Sequence, residues 1–169
     1  METKTIRRAV FAGSFDPFTA GHLDIVRRAA ELFDEVIVLV AENSAKRPFF
    51  KTAVRVRLAE LAVKDIPGVT VDSFEGLTVN YLKRKSARYL VRGIRGGADL
   101  EWERDVAWTN RKLYPECETV FLAAGEEHLA VSSTVVRELL KNGADVSSFV
   151  PAGILETLLN EWSSVKCSE

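Results

Sequence analysis

Gly13-Ser14-Phe15-Asp16-Pro17-Phe18-Thr19-Ala20-Gly21-His22 is the stretch on which the reading of this chain turns. Before it, the apolar run Ala9-Val10-Phe11-Ala12 predicts a strand. After it, Ile25, Val26, Ala29, Ala30 and Phe33 recur at helical spacing from Leu23 onward. The stretch is therefore expected to be the loop from a first strand into a first helix, with Gly21 and His22 at the helix start. The first amides of a helix lack internal partners and sit at the positive end of the dipole, so an anion is favoured there. An imidazole able to carry a proton at that place suits a phosphate that gains charge during reaction. A plain alternative is open: a histidine at a helix start also serves as a cap or faces water. Neither the dinucleotide fingerprint G-x-G-x-x-G nor the P-loop pattern G-x-x-x-x-G-K-[ST] occurs here.

Outward from this loop the chain alternates. Glu35 to Ala41 is a β-branched run of the kind expected when a strand is covered on both faces. A polar loop with Lys46 and Arg47 follows, then a helix from Thr52, read as its cap, to about Lys64. Val69 to Phe74 predicts a third strand, Leu77 to Lys85 a helix, and Arg88 to Val91 a fourth strand. The helix Asp99–Leu113, the strand Thr119–Ala123 and a helix Val135–Lys141 come next, and a last amphipathic helix follows Pro151. Alternation of this kind, without repeat or linker, predicts one α/β domain over residues 1–169. Its core spans about 8–162 and residues 163–169 form a mobile tail. The fold class is an open, mainly parallel, Rossmann-like five-stranded sheet with helices on both faces. Ligands of such sheets bind beyond the carboxyl ends of the strands. The first loop, Lys46-Arg47, Leu77-Thr78, Arg92 to Arg95 and Ser132 to Thr134 all follow strand ends.

Composition sets bounds. The 169 residues carry 23 basic and 24 acidic side chains and are 47% hydrophobic, an ordinary globular balance. A net charge of -1 gives no reason to expect nucleic acid as a partner. The basic start is followed by an apolar run that Gly13 breaks, too short for a signal peptide or membrane helix, so no membrane is expected. Cys117 and Cys167 lie far apart and His22 and His128 are the only histidines, so a zinc site is not expected and a reduced cytoplasmic compartment is.

Among the loops, Arg92-Gly93-Ile94-Arg95-Gly96-Gly97 offers two guanidinium forks on a flexible backbone, suited to phosphate oxygens or, alternatively, to surface ion pairs. Ser132-Ser133-Thr134 offers hydroxyls and helix-start amides to a polyphosphate, and Ser133 alone could be an N-cap. Glu103 is either a solvated helix carboxylate or an acceptor for a ribose or base. Nothing in the sequence resembles a nucleophile activated by a base. Phosphoryl-type transfer needs mainly positioning and charge neutralisation, for which these residues suffice.

The Thr19-x-Gly21-His22 signature resembles the nucleotidylyltransferase superfamily. Arg92-Gly93-Ile94-Arg95 through Glu103, with Ser132-Ser133-Thr134-x-x-Arg137, is similar to the bacterial phosphopantetheine adenylyltransferase family, in order and length from about Arg8 to Trp162. The resemblance implies transfer of AMP from ATP to 4'-phosphopantetheine, giving dephospho-CoA and pyrophosphate, with Mg2+ arriving on ATP. It implies that His22 stabilises the transition state at the α-phosphate, with Lys46 and Arg95 also in the catalytic set. Ser14, Lys46, Thr78 and Arg92 would hold phosphopantetheine. Ser14, Phe15, His22, Gly93, Ile94, Arg95 and Glu103 would hold ATP, together with His128, Leu129, Ala130, Val131, Ser132, Ser133 and Thr134. It further implies a homohexamer inhibited by coenzyme A. Ser14 stands where the family usually has threonine, Thr134 where it has a third serine, and His128 where many members have an aromatic ring near adenine. Two other readings compete: a mononucleotide or glycerol-phosphate nucleotidylyltransferase, which gives no reason for the Arg92–Glu103 run, and a non-catalytic nucleotide sensor, which would not need His22 and Lys46.

Overall fold

A computed structural model describes residues 6–42 and 47–166. Five strands, β1 (Arg8–Gly13), β2 (Glu35–Glu42), β3 (Val69–Glu75), β4 (Tyr89–Ile94) and β5 (Glu118–Ala123), form one sheet in the order β3-β2-β1-β4-β5. Every neighbouring pair is parallel. The helices between them are α1 (Ala20–Leu32), α2 (Thr52–Val63), α3 (Thr78–Arg84), α4 (Gly97–Leu113), α5 (Ser133–Lys141) and α6 (Leu155–Lys166).

Side chains alternate across the sheet with the period of two that a strand imposes. Ala9 and Phe11 of β1, with Val36, Val38 and Val40 of β2, join one buried cluster with α1, α2, α5 and α6. Val10 and Ala12, with Ile37 and Leu39, join the other, under Val79, Tyr81 and Leu82 of α3 and Cys117. Both faces are thus covered, as the unbroken β-branched run of β2 requires. The chain leaves β1 toward β2 and β3, then returns to lay β4 on the other side of β1. Connections from β1 and β4 therefore diverge, which opens a crevice between the carboxyl ends of those two strands. No helix among the described residues is long and apolar enough to cross a membrane.

Four local expectations change. β4 runs to Ile94 because Arg92, Gly93 and Ile94 pair with Phe121, Leu122 and Ala123 of β5, so the first arginine is part of the sheet and not of a loop. Thr52 is the first helical residue of α2, not its cap; Lys51 precedes it without a side-chain cap bond, and the Thr52 hydroxyl accepts from Arg55. Ser132, not Ser133, caps α5, its Oγ accepting from the Val135 amide. Residues 163–166, expected in a mobile tail, continue α6. Cys167 lies outside the described residues.

Candidate active site at the β1–β4 crevice

The crevice is a cleft of about 310 Å³ lined by the ends of β1 and β4, the first loop, the start of α1, α4, His128 and Val131 to Ser133. Its floor is set by the packing of the first loop. Phe15 sits at φ 46°, a left-handed conformation that is uncommon for a bulky residue and costs about 1 kcal/mol or more. Its ring is 1% exposed, against Phe11 at 5.2 Å and Phe18 at 5.3 Å between centroids. Burying two such rings contributes about 2–3 kcal/mol each, enough to hold the strained turn. A Cβ on Gly13 would lie about 3.0 Å from the Phe15 ring, so any larger residue there would press on the buried ring.

The loop is also fixed from behind by hydrogen bonds to its main chain and to the Asp16 carboxylate. The Asp16 carboxylate, buried, accepts from the Phe49 and Phe50 amides at 2.7 and 2.8 Å. Buried Arg55 donates to the carbonyls of Ser14, Ala41 and Phe50 and to the Thr52 hydroxyl. Arg137 donates to the Asp16 carbonyl at 2.6 Å, and the Ser133 hydroxyl to the Pro17 carbonyl at 2.8 Å. The R at the end of the S-S-T-x-x-R run was a visible signal for Arg137. Arg55 and Asp16 carried none, because their partners are mostly main-chain atoms of other segments.

His22 is the third residue of α1, and Thr19 is the N-cap. Thr19 Oγ1 accepts from the His22 amide at 3.3 Å, and the Thr19 amide donates to His22 Nδ1 at 3.0 Å. A backbone N–H can only donate, so Nδ1 is the acceptor and the neutral ring carries its proton on Nε2. The ring is walled by Phe11, Phe15 and Phe18, with centroids at 6.2, 5.0 and 5.4 Å, and one edge opens on the cleft. Burial first, then the charges of Arg95 and Arg92, push its pKa from 6.5 to about 3. The histidine is both a cap and a cleft residue, and it is neutral at neutral pH. At neutral pH the imidazole is thus a fixed, uncharged N–H donor at the cleft.

The two arginines lie opposite. Arg92 donates through Nε to Glu103 Oε2 at 2.8 Å, through Nη2 to Glu103 Oε1 and through Nη1 to the Ala12 carbonyl. Glu103, buried on α4, accepts from Arg92 with both carboxylate oxygens and also lines the cleft. Arg95 pairs with Asp99 Oδ2 at 3.1 Å. Ser14, Phe15, Gly93, His128, Val131, Ser132 and Ser133 line the same cleft, with the His128 Cβ lying over Gly21. Ile94, Leu129, Ala130 and Thr134 are not among its lining residues, and Thr134 Oγ1 accepts from Arg137. Thr78 opens α3 and lines a second cleft of about 310 Å³, with Gly76, Leu77, Leu90, Trp102, Val106 and Asn110. The two clefts share Ala12 and Arg92. Lys46 lies outside the described residues.

Among the described residues no group of three or more His, Cys, Asp or Glu side chains could hold a metal ion. The arrangement can receive a polyanion: two guanidinium groups and a neutral imidazole donor face one space at the start of two helices.

Comparison with known proteins agrees with this chemistry. Residues 10–139 match the cytidylyltransferase-like family model. The phosphopantetheine adenylyltransferase of Dictyoglomus turgidum is 46% identical over 155 residues, covering 92% of this chain and 97% of that one. The protein of the same name from Thermotoga neapolitana is 47% identical over 150 residues, covering 89% and 93%. In three dimensions the chain superposes on a candidate nicotinate-nucleotide adenylyltransferase from Vibrio parahaemolyticus with a TM-score of 0.73, over 94% of each chain. At 19% identity that likeness speaks for the fold alone.

Proposed function

The chain belongs to the cytidylyltransferase-like family and, within it, to the phosphopantetheine adenylyltransferases, and on that premise we propose that it adenylylates 4'-phosphopantetheine with ATP. The products are dephospho-CoA and pyrophosphate. The observation that carries this reading is the pair of clefts joined at Arg92: one lined by phosphate-binding groups, the other by Leu77, Leu90, Trp102 and Val106 with Thr78 and Asn110. ATP takes the first cleft and the pantetheine arm the second, which brings the acceptor phosphate to the shared wall.

A phosphate oxygen of phosphopantetheine attacks the α-phosphorus of ATP. The new P–O bond forms as the bond to the β-phosphate bridging oxygen breaks, and pyrophosphate leaves with that electron pair. His22 Nε2–H donates to a non-bridging α-phosphate oxygen, and because the ring is neutral it contributes a hydrogen bond, not a proton. Such a donor, fixed in advance by Thr19, is most effective where charge develops in the transition state. Arg92, with Ser14 and Lys46, holds the attacking phosphate. Arg95, with Ser132, Ser133 and the free amides of α5, holds the leaving phosphates, and Phe15, Gly93 and the His128–Val131 segment border the nucleotide. Mg2+ would arrive with ATP, held mostly by phosphate oxygens and water, and would offset the charge of the phosphates. The same reading places the protein in the cytoplasm as a homohexamer inhibited by coenzyme A. Exposed Leu100, Trp102, Trp108 and Leu113 on α4 support burial of that helix against other copies.

Pyrophosphate release with ATP and Mg2+ tests the reading, comparing 4'-phosphopantetheine, nicotinamide mononucleotide and glycerol 3-phosphate, the last also with CTP. Release with phosphopantetheine alone is expected. Release with another acceptor alone would keep the transfer chemistry and overturn the acceptor, and none with any would leave a nucleotide sensor.

A further inference from the structure

Gly21, Ile25 and Arg28 recur along α1 at the spacing of one helix face, and each meets a different piece of the opposite wall. A Cβ on Gly21 would lie 3.4 Å from the His128 Cβ, and one on Gly93 would lie 3.1 Å from Ile25. Arg28, a turn further on, donates through Nη1 to the Ala123 carbonyl at 2.6 Å and to Asp24 Oδ2 at 3.1 Å. Ala123 is the last residue of β5, and β5 is an edge of the sheet with β4 as its one neighbour. The Ala124 amide then bonds the Ile94 carbonyl, and Ala124 lines the first cleft. After Gly125 a single 3-10 turn, Glu126–His128, brings His128 to the cleft wall.

Resting on the reading of the first cleft as the nucleotide site, we propose that Arg28 is a positioning residue for the nucleoside end of ATP. It pins the exit of β5, and Asp24 aims it. The end of an edge strand is held from one side only, so it opens more easily than a central strand. A guanidinium bond to its last carbonyl supplies the second hold, and a charged donor makes that bond stronger than a neutral one would. The Asp24–Arg28 pair, with side chains 24% and 40% exposed, adds little stability in itself. Its use is to fix the direction of the arginine, since one nitrogen serves both the carboxylate and the carbonyl. Arg28 does not line the cleft, so it acts on a ligand only through the chain from Ala123 to His128. Arg95, Ser132 and Ser133, which face the phosphates, stand on other elements and do not depend on that hold.

The test is equilibrium titration of the full chain, without acceptor, by ATP and by inorganic tripolyphosphate. Arg28→Met keeps the packing of the arginine stem and removes the donor. It should weaken ATP about three- to tenfold, less than a fully buried charged hydrogen bond is worth because the guanidinium is partly exposed. Tripolyphosphate, which has no nucleoside, should bind within about twofold of wild type. Arg28→Lys restores a charged donor and should recover part of the ATP affinity. Asp24→Asn should cost ATP about twofold and nothing further once Arg28 is methionine. Equal losses for ATP and tripolyphosphate would overturn the assignment, because they would mean that Arg28 acts by its charge or on the fold as a whole. Unchanged ATP binding would overturn it too. If Arg28→Met fails to fold, Arg28→Lys and Asp24→Asn give the same comparison of the two ligands. A wild type that binds tripolyphosphate as tightly as ATP would instead strike the reading of the cleft as a nucleotide site. A wrong acceptor would show only in turnover and leave these titrations standing.

Discussion

The two sides of the cleft are built on opposite principles. On the first-loop side, Thr19 fixes His22, three phenylalanine rings wall it in, and Arg55, Asp16 and Arg137 tie the loop to distant backbone. That side is uncharged where it faces the ligand. On the β4–α4 side the groups that face the ligand are ions, each with a carboxylate partner already in place. A rigid neutral donor loses nothing by waiting and acts only when charge grows in front of it. Charged groups in a half-open cleft attract an anionic substrate from the outset. The first side is suited to the transition state and the second to the bound ground state.

The largest effect that could break this contrast is expected at His22. His22→Ala removes one preorganised donor, for which a loss of about 10²–10³ in turnover is usual. ATP affinity, measured by equilibrium titration, should remain within a few fold, because the arginines supply that binding. A fall in affinity matching the fall in kcat would mean that the histidine works in the ground state too, and the division between the sides would disappear.

Rigidity of the first loop has its own test. Arg55 is 3% exposed and satisfies the carbonyls of Ser14, Ala41 and Phe50. Arg55→Met keeps much of the volume and leaves buried acceptors without donors, so a loss of about 3 kcal/mol in urea unfolding is expected. Asp99→Asn, across the cleft, should shift the same midpoint by well under 1 kcal/mol. Equal shifts would show that the two sides are equally exchangeable.

What the sequence told, and what it withheld, follows the same divide. The strand runs and the first loop were legible because β-branched repetition and a Gly/Pro turn are local signals, and the order of the elements brought Ser14, His22, Arg92, Arg95 and Ser132 to one edge of the sheet. The state of His22 was not legible: its tautomer depends on the Thr19 amide and its low pKa on three rings and two arginines that only the fold assembles. The use of Glu103 was equally hidden, since a carboxylate eleven residues after an arginine meets it only when β4 and α4 pack. β4 itself was read short because pairing with β5, a tertiary effect, draws Arg92 to Ile94 into the ladder.

The most direct probe of the neutral side is acid stability. Unfolded, His22 takes up a proton near pH 6.5; folded, it resists protonation down to about pH 3. Between those values the unfolded chain holds the extra proton, so the stability due to this group is fully present above pH 6.5 and is lost as the pH falls toward 3. From pH 7 to pH 5 the loss amounts to about 2 kcal/mol for one such group. His22→Asn lacks the titrating ring while keeping a side chain able to accept from the Thr19 amide. Urea midpoints of the two proteins at pH 7 and pH 5 should therefore fall further apart in the acid, with the wild type losing the more. Equal losses would mean that water reaches the ring freely through its open edge, and that the side of the cleft assigned a neutral, fixed donor is a titrating one.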